Sequence, residues 1–295
     1  MGTNFDSELF EGLKSLGFDN LDDISIYKKE DEKTEQKKAM DKNEEDYLFD
    51  RKIQCPVCGS NISVRAVRSS SVRILSRDSD FMVYYKGPNP MLYDAWVCIQ
   101  CGYAAISSQF HSVSVQQIKA IREKICSKWK PKNYGPVYDV DVAIERYKLV
   151  LLNAIVKNAK TSERALICLK LGWLNRLKKD LENEKKFLYQ ALQGFIDAFE
   201  KERFPIAGMD EASLTYLIGE LYRRLDDNSN ALLWYSRVLC NRTAKNKIKD
   251  MAREQKHLIS EEKKKEEISE QRQSKEIINT GKKQSLLSGF FNWGK

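Results

Sequence analysis

The chain has 295 residues, is 42% hydrophobic and 31% charged, and carries a formal net charge of +8. That length and apolar content suffice for one good core or two modest domains, and no run of eighteen apolar residues is present to span a membrane. The charge is uneven: residues 1–50 hold fifteen acidic and seven basic side chains, whereas 241–295 hold fourteen basic and eight acidic, with a positive middle between them.

The start, Met1-Gly2-Thr3-Asn4-Phe5-Asp6, is acidic and lacks the apolar core of a signal peptide, so the expected compartment is the reducing cytoplasm. Residues 1–27 read as a short helix over Ser7–Gly17, with a serine cap and a terminating glycine, followed by the alternation Ile24-Ser25-Ile26-Tyr27. Lys28 to Asp46 is almost wholly charged, and residues 28–50 read as a charged linker.

Residues 51–112 open with Cys55-Pro56-Val57-Cys58-Gly59 and close around Cys98-Ile99-Gln100-Cys101-Gly102. Two residues between thiols let each pair bite one tetrahedral ion, and the trailing glycine lets backbone amides approach the sulfurs. In a reducing compartment this favours one structural Zn2+ on Cys55, Cys58, Cys98 and Cys101 over disulfides. Between the pairs, Ile62–Val67, Ser71–Leu75 and Phe81–Tyr85 alternate or are β-branched, Lys86–Pro90 is a turn, and Met91–Val97 leads back as a strand. Each pair thus ends a strand, the layout of a zinc ribbon, in which the metal replaces much of a small core.

Residues 113–256 change to helical period, with helices expected over 115–128, 139–158, 161–179, 182–202, 210–225 and 227–240. One pattern recurs: Ala143, Tyr147, Val150; Ala191, Phe195, Ala198; Ala231, Tyr235, Val238. Leu171-Gly172 and Ile218-Gly219, with Tyr222, precede the last two of these, as in the helix pairs of a tetratricopeptide (TPR) repeat. The spacing from Gly172 to Ala191 is seven residues longer than that from Gly219 to Ala231, which predicts two added turns. The fold class is therefore α+β, a small zinc-ribbon β module followed by a mainly α-helical TPR-like repeat domain. Residues 257–284 read as a charged helix or disordered segment, and 285–295 as an amphipathic aromatic tail with Leu286, Leu287, Phe290, Phe291 and Trp293 on one face.

The chemistry of an enzyme is sparse. His111 and His257 are the only histidines, neither with an obvious acid or nucleophile partner in sequence, and no phosphate-binding loop occurs. Asp78 and Asp80 read as turn-formers that pair with Arg73 or Arg77, and Cys126, Cys168 and Cys240 as ordinary buried residues.

Asp78-Ser79-Asp80-Phe81, Asn89-Pro90-Met91-Leu92-Tyr93-Asp94 and Trp96-Val97-Cys98-Ile99-Gln100-Cys101-Gly102-Tyr103-Ala104-Ala105 together resemble an uncharacterised bacterial family, filed as a domain of unknown function. The resemblance covers about residues 50–240 and implies a bacterial cytoplasmic zinc-ribbon protein, without an activity. The expected function is a non-enzymatic adaptor or scaffold that binds a protein or peptide through its TPR-like helices. The alternative is a nucleic-acid-binding regulator using Arg65, Arg68, Arg73 and Arg77 with Tyr84 and Tyr85 on the ribbon; a metal-dependent hydrolase is the remote one. The tail could also make peripheral contact with the inner face of the membrane, and no small-molecule substrate is expected.

Overall fold

A computed structural model describes residues 43–265. The expected Ser7–Gly17 helix, the 24–27 alternation and the aromatic tail lie outside the described residues. Among the described residues no helix is long and apolar enough to cross a membrane.

Among the described residues three antiparallel hairpins precede the helices. Strand β1 (Leu48–Gln54) pairs with β2 (Asn61–Val67), β3 (Arg73–Arg77) with β4 (Val83–Lys86), and β5 (Ala95–Val97) with β6 (Ala104–Ile106). Strand β1 occupies part of the stretch read as a charged linker. Its side chains are mostly exposed, so its composition is that of a solvated edge, while Leu48 is buried and pairs with Val67. The second hairpin starts two residues later than expected, because Asp78 to Met82 form its tip: the Phe81 amide donates to the Asp78 carbonyl at 3.0 Å and the Asp78 amide to that of Met82 at 2.7 Å. The strand expected over Met91–Val97 is only half a strand. The Asn89 side chain accepts from the Met91 amide at 3.0 Å and Pro90 follows it, so the chain makes a 3-10 turn over Pro90–Tyr93 before β5.

The helices follow the expected periodicity closely. They are α1 (Val115–Ile121), continued by a π turn over Arg122–Cys126, then α2 (Val140–Val156), α3 (Thr161–Lys178), α4 (Leu181–Lys201), α5 (Glu211–Arg224), α6 (Asn228–Cys240) and α7, described over 246–265. Aspartates cap four of them: Asp139, Asp180, Asp210 and Asp227 each accept from the amide three residues on.

The packing joins what the sequence separates into modules. Ala143, Tyr147 and Val150 of α2 pack on Ala95, Val97, Ala104 and Ile106 of the third hairpin. Helix α1 belongs with the hairpins: Ile121 and Ile125 pack against the cysteines, Ile62 and Trp96. Leu188, Ala191, Phe195 and Ala198 of α4 meet Leu169 of α3 and Leu214, Leu217 and Leu221 of α5 in a second core.

The two-turn insertion is not needed. A Cβ on Gly172 would meet Leu188, and one on Gly219 would meet Tyr235. Both partners lie sixteen residues on, so α3–α4 and α5–α6 cross at the same spacing. The extra length of α4 lies beyond the crossing, where a further close approach occurs: a Cβ on Gly194 would stand 2.8 Å from that of Ala165. Of the single cysteines, Cys168 is buried and Cys126 half-buried, but Cys240 is exposed at the end of α6.

Candidate metal centre

The two cysteine pairs form the tips of the first and third hairpins, and the two tips are built alike. In the first, the Gly59 amide donates to the Cys55 carbonyl and the Cys55 amide to that of Ser60, both at 2.9 Å. In the other, Gly102 donates to Cys98 at 2.8 Å and Cys98 to Tyr103 at 2.7 Å. Both turns close through a left-handed glycine, Gly59 and Gly102 each having φ of 76°. Each knuckle therefore presents two sulfurs from one tight loop.

The tips meet. The four sulfurs lie within 4.8 Å of one another, with Cys55 Sγ 3.8 Å from Cys101 Sγ and Cys58 Sγ 3.7 Å from Cys98 Sγ. Three of the cysteines are buried and Cys58 is exposed. Sulfurs so close cannot ionise independently: contacts with Cys55 and Cys98, then burial, push the Cys101 thiol up, while contacts from Cys101 and Cys55 hold Cys98 down. A cation among them would remove that conflict, so the donor set suits one metal ion.

A second layer aims the knuckles. Arg122, at the start of the π turn, donates through Nε and Nη2 to the Val57 carbonyl at 2.9 and 2.5 Å. Trp129 Nε1 donates to the Ile99 carbonyl at 2.8 Å, and Asn153 Nδ2 of α2 to that of Gly102 at 3.2 Å. A Cβ on Gly102 would enter the Trp129 ring at 2.6 Å, whereas one on Gly59 would meet nothing. These supports come from far along the chain, and sequence spacing carries no sign of them. His111 is exposed, with its ring against Phe110.

The second hairpin tip holds a cluster of a different kind. Asp78 and Asp80 do not pair with Arg73 or Arg77, which stand on the fully exposed strand β3. Their partners are on the helices. Arg176 of α3 reaches Asp78 and Asp80, both at 2.6 Å, and Glu184 of α4 at 2.7 Å. Trp173 donates to Asp80 at 3.0 Å, and Ser79 donates to Glu220 of α5 at 2.6 Å. Glu220 also takes Arg223 and Arg224, at 2.7 and 2.9 Å. Asp80 and Glu220 are fully buried. Burial alone would raise both carboxyls, but the hydrogen bonds and charges of Arg176 and Arg224 on Asp80, and of Arg223 on Glu220, outweigh it and hold both below the usual carboxylate range. With their oxygens occupied by arginines, these acids are structural anchors.

The four ribbon arginines do not act as one patch. Arg65 pairs with Asp50 at 3.2 Å, Arg68 lies over the Phe49 ring, and Arg73 and Arg77 sit on the other hairpin. Asp94, unassigned by sequence, is held by Lys170 and by the Ser107 hydroxyl at 2.5 Å.

A family model described as an uncharacterized protein conserved in bacteria (DUF2225) matches residues 48–259. No curated protein and no solved structure matches the chain.

Proposed function

The chain belongs to this uncharacterised bacterial family, and from that premise we propose a non-enzymatic, zinc-stapled protein-interaction adaptor that works in the cytoplasm. Four thiolates bonded to zinc at about 2.3 Å stand about 3.8 Å apart along the edges of the tetrahedron. The 3.7 and 3.8 Å separations of the two sulfur pairs agree with that spacing. A four-thiolate zinc is coordinatively closed and leaves no position for an activated water, so its role here is to join two hairpins in a zinc-ribbon manner.

One observation carries the adaptor reading. The first helices of successive pairs, α3, α5 and α7, line a groove of about 470 Å³ whose apolar walls include Leu166, Leu169, Leu217, Ile248 and Met251. In TPR-like packing this is the face that takes a peptide. Arg77, Lys245 and Lys247 also line the groove against a single carboxylate, Asp210, so it suits an acidic, apolar segment. The tip of the second hairpin already fills part of this face, since Phe81 lies 5.4 Å from Tyr216 and also lines the groove.

Photo-crosslinkers placed at Met251, in the groove, and at Leu233, exposed on α6, test this in cells. Partner adducts should form at Met251 and not at Leu233; adducts at neither position, or at Leu233 alone, refute the reading.

A further inference from the structure

The three hairpins, the Asn89–Asp94 turn and α3 line an open cleft of about 440 Å³, within the roughly 300–1,000 Å³ of small-ligand sites. It is separate from the sulfur cage. Phe49, Phe81, Tyr85 and Trp173 present aromatic surface to it, and the buried Trp96 also lines it. So much aromatic surface in one opening suits a ligand with a flat π face.

The charge of the cleft is equally specific. Arg51, which also lines it, stands over the Trp96 ring at 5.6 Å, and Arg68 stands over the Phe49 ring at 5.8 Å. Two of the cleft's aromatic residues thus carry a guanidinium. The carboxylate in the cleft, Asp94, is neutralised by Lys170 and accepts from Ser107. Among the described residues Arg51 has no carboxylate partner. An incoming group therefore meets flat rings and net positive charge.

We propose that this cleft binds a nucleotide, with its base stacked among the rings and its phosphate held by Arg51. A guanidinium matches phosphate geometry, and stacking tolerates any base because every base has a π face. An aliphatic acid would leave the rings unused, and an uncharged ring would leave Arg51 unused. The nucleotide is a ligand here and not a substrate. Its source is either free mononucleotide or a base within a single strand. In the second case Arg73 and Arg77, on the strand that pairs with the strand of Tyr85, lie along the route of neighbouring phosphates.

The test is tryptophan fluorescence of the metal-loaded full chain titrated with adenosine 5′-monophosphate, adenosine and a short oligodeoxyadenylate. The monophosphate should quench saturably at one site, with adenosine about tenfold weaker because it lacks the charged partner of Arg51. Arg51→Met and Phe49→Ala should each weaken binding about tenfold while leaving the melting temperature unchanged, since both side chains are exposed. If Phe49→Ala fails to fold, Arg51→Met alone gives the answer. An oligonucleotide that binds more tightly, with steep salt dependence, identifies nucleic acid as the source; equal affinities identify free nucleotide. No saturable response to either phosphate ligand at millimolar concentration, or binding indifferent to Arg51→Met, overturns the proposal. Failure here leaves the adaptor reading standing, because Met251 lines a different groove.

Discussion

Two of the three hairpins end in thiols and the third ends in carboxylates, and the two kinds of tip are anchored in opposite ways. The cysteine tips face one another and gather four sulfurs into a set that suits one cation. The Asp78–Met82 tip is clamped by arginines of α3 and α5. Soft donors gathered from two hairpins suit an external ion, whereas hard donors inserted among helices find their counter-charges in the chain. The first arrangement predicts a β region conditional on metal. The second makes the hairpin–helix junction conditional on protonation state.

Metal removal should produce the largest effect. Chelation, or Cys58→Ser with Cys101→Ser, removes a binding free energy of about 10 kcal/mol or more. Native mass spectrometry should then show loss of one zinc, and limited proteolysis should cut within 48–67 and 95–106. A chain that remains protected without metal would break the comparison at its root. Next is Asp80→Ala, which removes the buried carboxylate shared by Arg176, Arg224 and Trp173; Arg176 keeps Asp78 and Glu184, so the cost should be about 1–3 kcal/mol by denaturant titration, with zinc content unchanged. Loss of zinc in that variant would mean that the two anchors are not independent.

The two knuckles can be set against each other by glycine substitution. Gly59→Ala should cost about 1–2 kcal/mol for its left-handed backbone. Gly102→Ala should cost about 1–3 kcal/mol more, because the added carbon also enters the Trp129 ring. Equal losses in thermal melts would show that Trp129 yields freely.

Acid should give the mildest effect. Asp80 and Glu220 titrate below their ordinary values, so the stability they contribute is complete above about pH 5 and is lost as pH falls below about 4, through their folded values. Fluorescence of Trp173, which donates to Asp80, should report that loss in the native chain. The same transition in Asp80→Asn would assign it to another group.

How far the sequence discloses this protein depends on the range of the interaction concerned. Both knuckles are legible because cysteine spacing and a trailing glycine are local. The helices are legible because their apolar period and aspartate caps are local too. Strand β1 is hidden, since an exposed edge strand has the composition of a linker. The pairing of Gly172 is ambiguous in sequence for a physical reason: Leu188, Ala191, Phe195 and Ala198 all share one helix face. A pattern displaced by two turns therefore fits the same face.

By itself the sequence determined that four cysteines could make one metal site, that strands give way to helices near residue 113, and where six of those helices run. Only the tertiary structure decided which arginines hold Asp80, that α1 and α2 pack on the hairpins, and that Arg51 meets a cluster of aromatic rings. Those outcomes depend on counter-charges and packing surfaces separated by tens of residues. A carboxylate in a turn looks the same in sequence whether its arginine is four residues away or, like Arg176 from Asp80, ninety-six.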